Sequence, residues 1–340
     1  MNHSELEATA QAMVAKGKGI LAADESTGTI KKRFDGIKLE STEENRRAYR
    51  EMLFTAPGAA DYISGVIFYD ETLRQKTKAG VPFAEHLKRL GIVPGIKVDA
   101  GTKPLAGAPG EVVTEGLDGL RERLKEYYSL GARFAKWRAV IDIGEAIPSI
   151  YGIHVNAHAL ARYATLCQEA NIVPIVEPEV LMDGGHTIER CEEVTNAVLT
   201  RVFAELDTQR VYLEGMVLKP NMVISGMKCA KQAGVEEVAD KTVAVLRRCV
   251  PSAVPGIAFL SGGQSDEMAT AHLSAMNARH KLPWALTFSY GRALQAAPQR
   301  AWSGKSENVA AAQAAFAHRA RMNALAALGT WTPTEEKKAA

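Results

Sequence analysis

Val217-Leu218-Lys219-Pro220-Asn221 places a lysine in a short apolar segment of the kind that forms a buried strand. Burial disfavours the charged form of a lysine, so this side chain must find a partner or lose its proton. A buried lysine that has lost its proton is a nucleophile that attacks carbonyl groups. The segments that surround Lys219 in the fold therefore decide what it does.

Apolar segments of this kind recur along the chain and alternate with amphipathic helical patterns. Strands that alternate with helices form a parallel sheet, and eight such units close into a barrel. The sequence therefore predicts an α/β fold, a (β/α)8 TIM barrel, as a single domain over residues 1–330 with a short mobile C-terminal tail at 331–340. The eight predicted strands are 19–23, 63–69, 93–98, 134–141, 172–176, 216–218, 256–260 and 285–288. The helical patterns between them include 117–130, 156–170, 188–207 and 235–249.

The composition limits the classes of protein to consider. Hydrophobic residues make up 46% of the 340 residues, and the formal net charge is +2 with acids and bases mixed throughout. This balance argues against nucleic acid or a membrane as partner, but it leaves room for a local basic site and an anionic substrate. No run reaches ~18 consecutive apolar residues, and the N-terminus lacks the apolar core of a signal peptide. We expect a cytoplasmic protein with reduced thiols at Cys167, Cys191, Cys229 and Cys249.

Polar residues gather at the carboxyl ends of the predicted strands, where barrel enzymes carry their catalytic groups. Four strands end in two polar residues separated by one other residue, and this spacing directs both side chains to the same face. Trp137 and Leu218, the apolar neighbours of Lys136 and Lys219, should point outward, toward the helices. The pattern predicts a ring of mixed charges at the barrel mouth, with a plug of ion pairs as the alternative. The four pairs are Lys97/Asp99, Lys136/Arg138, Glu177/Glu179 and Lys219/Asn221, and Asp24 ends the first strand.

Two loops that contain glycine follow the last two strands and are candidates for a phosphate site. Leu260-Ser261-Gly262-Gly263 follows the seventh strand, and Ser289-Tyr290-Gly291-Arg292 follows the eighth and opens a helix. Backbone N–H groups at this place in a TIM barrel often bind phosphate, and an arginine can grip the anion. Across the mouth, Ser26 and Thr29 could bind a second phosphate or simply cap a helix. Two such sites would suit a bisphosphate.

A histidine pair raises the question of a metal. His154 and His158 are four residues apart, but the segment lacks the glutamate of the metalloprotease motif and precedes the fifth strand, toward the base of the barrel. A structural role for the pair is therefore favoured. The sequence predicts no catalytic metal and no other cofactor.

Longer motifs run along nearly the whole chain, from about residue 6 to residue 333. They are Gly19-Ile20-Leu21-Ala22-Ala23-Asp24-Glu25-Ser26-Thr27-Gly28, Gly95-Ile96-Lys97-Val98-Asp99, Phe134-Ala135-Lys136-Trp137-Arg138, Ile175-Val176-Glu177-Pro178-Glu179, Leu213-Glu214-Gly215, Leu218-Lys219-Pro220-Asn221-Met222, Leu260-Ser261-Gly262-Gly263-Gln264 and Leu286-Thr287-Phe288-Ser289-Tyr290-Gly291-Arg292. These motifs closely resemble those of class I fructose-bisphosphate aldolases. Such enzymes reversibly cleave fructose 1,6-bisphosphate into dihydroxyacetone phosphate and glyceraldehyde 3-phosphate in glycolysis and gluconeogenesis, and they are usually homotetramers. The resemblance implies a metal-independent lyase that binds sugar phosphates.

The resemblance also implies roles for individual residues. Lys219 matches the lysine that forms the Schiff base. Glu177 matches the general acid and base of carbinolamine and imine formation, with Glu179 assisting, and Asp24 matches the group near the C4 hydroxyl. The other matches are Lys136 and Arg138 as active-site cations, Ser261, Gly262, Gly291 and Arg292 at the C1 phosphate, and Ser26, Thr29 and Lys97 at the other phosphate. Thr29 stands where the family often has serine, and it keeps the hydroxyl.

The chemistry of aldol cleavage agrees with these roles. Cleavage leaves an electron pair on C3 of the ketose, and a protonated imine at C2 accepts this pair far better than a ketone does. Lys219 must therefore attack as a neutral amine, which a dry barrel mouth and a nearby cation, Lys136, would favour. Glu177 can then move protons at nitrogen and oxygen.

Some alternatives stay open. A related Schiff-base aldolase could prefer fructose 1-phosphate or sedoheptulose 1,7-bisphosphate. A non-catalytic binding or scaffold role is also conceivable, although intact Lys219, Glu177 and Asp24 argue against it as the sole role. The C-terminal tail of the family often ends in a tyrosine that aids proton exchange on the enamine, whereas the last tyrosine here is Tyr290. We therefore expect protonation of the enamine to limit the reaction.

Overall fold

Eight parallel strands close into a barrel in the computed structural model of the protein, which describes residues 1–337. Each strand pairs with its neighbours in chain order, and the last strand pairs with the first. This ring confirms the predicted (β/α)8 TIM barrel. The strands are β1 (Gly19–Ala23), β2 (Ile63–Phe68), β3 (Val93–Lys97), β4 (Phe134–Ile141), β5 (Val173–Val180), β6 (Val217–Leu218), β7 (Gly256–Phe259) and β8 (Ala285–Tyr290).

Helices connect and surround the strands. They are α1 (His3–Met13), α2 (Thr27–Asp35), α3 (Glu43–Phe54), α4 (Ala59–Tyr62), α5 (Asp70–Arg74), α6 (Phe83–Arg89), α7 (Leu120–Ser129), α8 (Ile150–Glu169), α9 (Ile188–Thr208), α10 (Val235–Cys249), α11 (Asp266–Arg279), α12 (Arg292–Trp302), α13 (Val309–Ala327) and α14 (Pro333–Lys337). Two short 3-10 helices (Leu213–Gly215 and Ser306–Asn308) and an antiparallel hairpin (Thr102–Pro104 with Val112–Thr114) complete the structure. Within residues 1–337, no helix is long and apolar enough to cross a membrane.

The bounds of the helices agree with the sequence patterns to different degrees. Helix α10 occupies the predicted residues, because its apolar stripe is sharp: Val238, Val245 and Leu246 are buried. Helix α8 begins at Ile150, well before the predicted start at residue 156. The side chain of Ser149 accepts a hydrogen bond from the N–H of Gly152 and so caps the helix at this earlier point.

Helix α1 closes the base of the barrel. Its Leu6, Ala10 and Met13 are fully buried and share one apolar cluster with strand residues that point into the barrel. Full burial of a leucine or methionine side chain contributes roughly 1.5–3 kcal/mol to stability. The base is thus filled by apolar side chains, and the polar residues are left to the opposite end.

One glycine makes this inner packing possible. The ring of Phe134, the first residue of β4, points into the barrel and lies against Gly95 of the neighbouring strand β3. A Cβ atom added at Gly95 would lie 2.3 Å from this ring, far closer than van der Waals contact. Gly95 therefore provides the space that Phe134 fills.

The outer faces of the strands pack against the helices. Trp137 and Leu218 are fully buried in the apolar cluster between strands and helices. The ring of Trp137 lies 5.5 Å from that of Tyr163 on α8. The predicted alternation is therefore confirmed for both residues, and Lys136, next to Trp137, faces the other way.

The sequence predicts that Asn221 faces the barrel mouth beside Lys219, and this prediction is wrong. Strand β6 ends at Leu218, and Pro220 has no N–H to continue the ladder, so the alternation of side chains stops before Asn221. The Asn221 side chain instead donates to Thr195 of α9 at 3.1 Å and accepts from the N–H of Val180 at 3.1 Å. It ties the end of β6 to β5 and α9, away from the barrel mouth.

The C-terminal segment makes specific contacts with the rest of the protein. Residues 333–337 form α14, and Glu336 pairs with the buried Arg319 of α13 at 2.7 Å. The indole N–H of Trp331 donates to the same carboxylate at 3.1 Å. Residues 331–337 therefore make defined contacts with α13, while residues 338–340 lie outside the described part. The mobility of the segment and the division into one domain plus a tail stay predictions.

Candidate active site

A cavity of about 560 Å³ opens at the carboxyl ends of the barrel strands. Of the residues that the sequence predicts at the mouth, Asn221 alone does not line this cavity; those predicted to act in catalysis or phosphate binding all do, so the structure brings them together. They are Asp24, Ser26, Thr29, Lys97, Lys136, Arg138, Glu177, Glu179, Lys219, Ser261, Gly262, Ser289, Gly291 and Arg292. The alternative to an open ring of charges is a plug of ion pairs at the barrel mouth. Ion pairs do form among these residues, but they line the cavity and do not fill it.

Lys219 lies directly beyond β6 and reaches into the cavity. Its backbone N–H donates to the carbonyl of Val176 on β5 at 2.8 Å, and the carbonyl of Pro220 accepts from Leu260 beyond β7 at 3.2 Å. Both neighbouring strands therefore hold its backbone in place. The residue is 3% exposed, and its Nζ lies 3.1 Å from Oε1 of Glu177.

Lys136 has two carboxylate partners. Its Nζ lies 2.9 Å from Oδ2 of Asp24 and 3.0 Å from Oε2 of Glu177. Glu177 thus contacts both lysines, Lys136 with one oxygen and Lys219 with the other. Three elements, β1, β4 and β5, meet through these contacts.

Burial and neighbouring charges shift the pKa values of this cluster in opposite directions. Burial alone would favour neutral Asp24, but the charges of Lys136 and Lys219 hold the pKa of Asp24 well below its usual range. Burial would likewise lower the pKa of Lys136, yet the charges of Asp24 and Glu177 hold it above its ordinary value. Asp24 and Lys136 therefore stay ionised at neutral pH.

A second group of charges surrounds this centre. The ammonium of Lys97 contacts Oδ1 of Asp99 at 2.6 Å, and Nη1 of Arg138 contacts Oε2 of Glu179 at 2.9 Å. Burial raises the pKa of the Glu179 carboxyl, with Arg138 opposing and the charge of Glu177 adding to the rise. Glu179 is therefore easier to protonate than an ordinary glutamate. The centre and this second group together place eight charged side chains on the cavity wall: Lys97, Lys136, Arg138 and Lys219 with Asp24, Asp99, Glu177 and Glu179.

The first candidate phosphate site combines the loop after β7 with the start of α12. Gly291 lines the cavity directly before α12, and the free N–H groups at a helix N-terminus attract anions. The Ser289 hydroxyl is buried and has no hydrogen-bond partner among residues 1–337, so it is free for a ligand. A Cβ atom added at Gly262 would lie 2.7 Å from the Cε of Met182, so a side chain at this loop position would displace the end of that methionine.

The second candidate phosphate site lies at the start of α2. The Ser26 hydroxyl accepts from the N–H of Thr29 at 3.4 Å and lies 3.1 Å from the Thr29 hydroxyl. The helix-cap alternative is therefore observed. It does not exclude anion binding, because both residues line the cavity at the positive end of a helix, together with Lys97.

Reasoning from the sequence missed Arg33 and Glu25, which also line the cavity. Glu25 pairs with Arg33 and with the buried Arg50, the latter at 2.7 Å, and it accepts from the Gln295 side chain at 2.7 Å. The only hint of this contact in the sequence is the basic run Lys31-Lys32-Arg33, which follows the segment with Ser26 and Thr29. Which cation of that run faces the cavity depends on Arg50 and Gln295, which lie in distant parts of the chain.

The histidine pair lies away from this cavity, on α8. The Nδ1 atoms of His154 and His158 lie 3.3 and 3.2 Å from the two oxygens of Glu205 on α9. Arg201 contacts the same carboxylate at 2.6 Å. The pair thus joins two helices. In the part of the chain that the structure describes, no group of three histidine, cysteine or acidic residues could hold a metal ion.

A barrel with lysines and carboxylates at its mouth is typical of one class of protein, the enzymes that work at the carboxyl ends of TIM-barrel strands. Comparison with known proteins narrows this class. The family model of class I fructose-bisphosphate aldolase matches residues 5–340. The chain therefore belongs to the class I fructose-bisphosphate aldolase family, lyases that cleave fructose 1,6-bisphosphate through a Schiff base and not through a metal.

Individual relatives are similar along almost their whole length. A probable class 1 fructose-bisphosphate aldolase of Xanthomonas campestris pv. campestris is 63% identical over 332 residues, which are 97% of this chain and 99% of that protein. The cytosolic fructose-bisphosphate aldolase 4 of Arabidopsis thaliana is 56% identical over 326 residues, 96% of this chain and 83% of that protein. A solved structure of fructose-bisphosphate aldolase from Plasmodium falciparum, in complex with TRAP and a small-molecule inhibitor, matches with a TM-score of 0.96 and 54% identity over 97% of this chain and 96% of that one.

Proposed function

We propose that Lys219 is the residue that forms the Schiff base with the substrate. The observation that carries this proposal is the 3.1 Å contact between its Nζ and Glu177, inside a cavity at the carboxyl ends of the strands. Its nitrogen attacks C2 of the ketose, and the carbonyl oxygen takes up a proton to give a carbinolamine. Loss of water then leaves the protonated imine.

Glu177 transfers the protons of these steps. It contacts both lysines of the centre, so it can deliver a proton to the leaving hydroxyl and recover one from nitrogen. Glu179, with its raised pKa, assists as a second proton donor. Lys136 and Arg138 keep the two glutamates oriented and offset their charge.

Asp24 orients the hydroxyl on C4. Because its pKa is held well below the usual range, it is a weak base but a good hydrogen-bond acceptor. Glu177, ionised after it has given its proton to the leaving water, takes the proton of the C4 hydroxyl as the C3–C4 bond breaks, and C4 leaves as the aldehyde of glyceraldehyde 3-phosphate. The electron pair of the broken bond enters the imine and forms an enamine. Protonation at C3 and hydrolysis then release dihydroxyacetone phosphate and the free amine of Lys219.

The two phosphates are held at opposite sides of the mouth. We assign the C1 phosphate to the loop after β7 and the start of α12, where Arg292 supplies a cation and α12 its N-terminus. We assign the other phosphate to the start of α2, opposite Lys97. The contacts assigned to the C1 phosphate are Ser261, Gly262, Ser289, Gly291 and Arg292, and those assigned to the other phosphate are Ser26, Thr29 and Lys97.

Trapping with borohydride tests the assignment of Lys219. Borohydride reduces the imine formed with dihydroxyacetone phosphate to a stable amine, and peptide mass mapping locates it. We expect the adduct on Lys219 alone and none in Lys219→Arg. The control Lys241→Arg alters a lysine on α10 that pairs with Glu192 at 2.7 Å, and its adduct should stay on Lys219. An adduct at another lysine, or normal turnover in Lys219→Arg, would sink the assignment, and EDTA should leave turnover unchanged.

The preferred sugar, the assembly and the location are further proposals. We propose fructose 1,6-bisphosphate as the main substrate, because a cationic or helix-terminus site lies on each side of the mouth. Comparison of kcat/KM for fructose 1-phosphate and sedoheptulose 1,7-bisphosphate tests this choice. We also propose a homotetramer in the cytoplasm, supported by the family and by cytosolic relatives such as that of Arabidopsis thaliana. Light scattering coupled to gel filtration tests the tetramer.

A further inference from the structure

Arg292 makes its hydrogen bonds to the protein itself. Its Nη1 donates to Oδ1 of Asp266 at 3.1 Å, and its Nη2 donates to the carbonyls of Ser261, at 3.3 Å, and Gln264. An arginine grips an oxyanion with two neighbouring N–H groups on one edge of the guanidinium. The guanidinium has two such edges, Nε with Nη2 and Nη1 with Nη2, and Nη2 belongs to both. A two-pronged grip on phosphate therefore requires that Arg292 give up contacts that it now makes.

Asp266, the charged partner, is firmly fixed. It is the first residue of α11, where a carboxylate is favoured by the helix dipole, and Ser265 caps the helix before it. Its carbonyl accepts from the Thr270 hydroxyl at 3.0 Å and from Arg319 at 3.2 Å. The side chain of Asp266 is 18% exposed, whereas that of Arg292 is 46% exposed. Of the two partners in the pair, Arg292 is thus the one free to move.

We propose that Asp266 is an internal counter-anion that competes with the C1 phosphate of the substrate for Arg292. The phosphate must displace a carboxylate of the same sign of charge, which lowers its affinity for the site. The same competition returns Arg292 to Asp266 when the product leaves, and so it favours release of dihydroxyacetone phosphate. This inference rests on the proposed role of Arg292 in binding the C1 phosphate.

Inhibition by inorganic phosphate tests the competition directly. In Asp266→Asn the side chain keeps its shape but loses its charge, so the inhibition constant for phosphate should fall about threefold to fivefold, the change expected for one partly exposed ion pair. Asp266→Glu retains the charge and should stay within about twofold of the parent. The remote control Glu169→Gln removes an exposed pair with Arg121 and should change nothing. An unchanged or higher inhibition constant in Asp266→Asn overturns the proposal.

A double-mutant cycle with Arg292→Ala separates this proposal from the one it rests on. If Arg292 binds phosphate, Arg292→Ala raises the inhibition constant, and the gain from Asp266→Asn disappears in that background. If Arg292→Ala leaves phosphate inhibition unchanged, the role assigned to Arg292 is wrong. If Arg292→Ala weakens inhibition but Asp266→Asn strengthens it equally in both backgrounds, Asp266 acts by general repulsion and the pairing proposal is overturned. Circular dichroism of each variant verifies that α11 still folds.

Discussion

Lys136→Met is the substitution that most directly tests the charged centre of the cavity. Methionine keeps much of the length of the side chain and removes its charge. The lysine Nζ lies 2.9 Å from Asp24 and 3.0 Å from Glu177, and neither acidic side chain is more than 11% exposed. The variant therefore leaves two buried carboxylates without their common cation. Removal of one partner from a buried ion pair costs about 3–5 kcal/mol.

The loss of stability should depend on pH. Burial raises the pKa of Asp24, and Lys136 is the largest influence that lowers it. Without Lys136, we expect the pKa of Asp24 to rise above its value in the unfolded chain. A carboxyl group whose folded pKa is raised supports the fold at low pH and loses that support as pH rises through the folded pKa. The variant should therefore be weaker at pH 8 than at pH 5, by about 1.4 kcal/mol for each unit by which the folded pKa of Asp24 exceeds 5.

Urea unfolding at pH 5, 6.5 and 8, followed by tryptophan fluorescence and circular dichroism, measures both effects. Lys241→Met is the matched control: it breaks a contact of 2.7 Å with Glu192 on the outer surface, where such pairs contribute about 0–1 kcal/mol. A loss below ~1 kcal/mol in Lys136→Met, comparable with the control, would refute the reasoning. So would a loss of the same size at every pH.

Three further predictions concern the fold. Leu6→Ala removes a fully buried side chain at the base and should cost about 2–5 kcal/mol in urea unfolding, with kcat retained; a loss of kcat at full occupancy would contradict the separation of base and mouth. Gly95→Ala should destabilise by about 1–3 kcal/mol or more, since its Cβ would lie 2.3 Å from Phe134, and an unchanged melting temperature would contradict that packing. Burial raises the pKa of Glu336, but Arg319 and its other partners hold it below the usual value, so the pair stabilises the docking of α14 at neutral pH and is lost on acidification. Glu336→Gln should therefore speed hydrogen exchange in the C-terminal segment at pH 7, and this difference should shrink only as the pH falls through the lowered pKa of Glu336. Equal exchange in variant and parent at pH 7 would show that the pair does not hold α14.

Much of the fold could be predicted from the sequence because the strand signal is local. β4 has its predicted bounds, and the alternation of Lys136 with Trp137 could be read directly from the chain. The polar residues of the mouth were predictable for the same reason, since each follows an apolar run. A TIM barrel then brings those separate strand ends together.

The features that the sequence did not reveal depend on distant partners. Asn221 turns toward α9 because Thr195 and the N–H of Val180 are there to bind it. Glu25 is buried because Arg50 and Gln295 satisfy it, and no periodicity connects these segments. The C-terminal helix α14 likewise needs Arg319 of α13 to hold it. Such contacts have no signature in a single segment, since long-range packing alone decides them.

The register between β5 and β6 explains why Lys219 and Glu177 meet. Ile175 pairs with Val217 across these strands, so two residues further on Glu177 stands beside Lys219, and both point into the barrel. A shift of one residue would turn Lys219 toward the helices, because side chains alternate along a strand. The N–H of Lys219 donates a hydrogen bond to the carbonyl of Val176 at 2.8 Å, which fixes this register at the end of the short strand. Pro220 has no N–H, so the strand pairing stops directly after Lys219. The chemistry of the lysine thus depends on the position at which β6 stops as much as on the lysine itself.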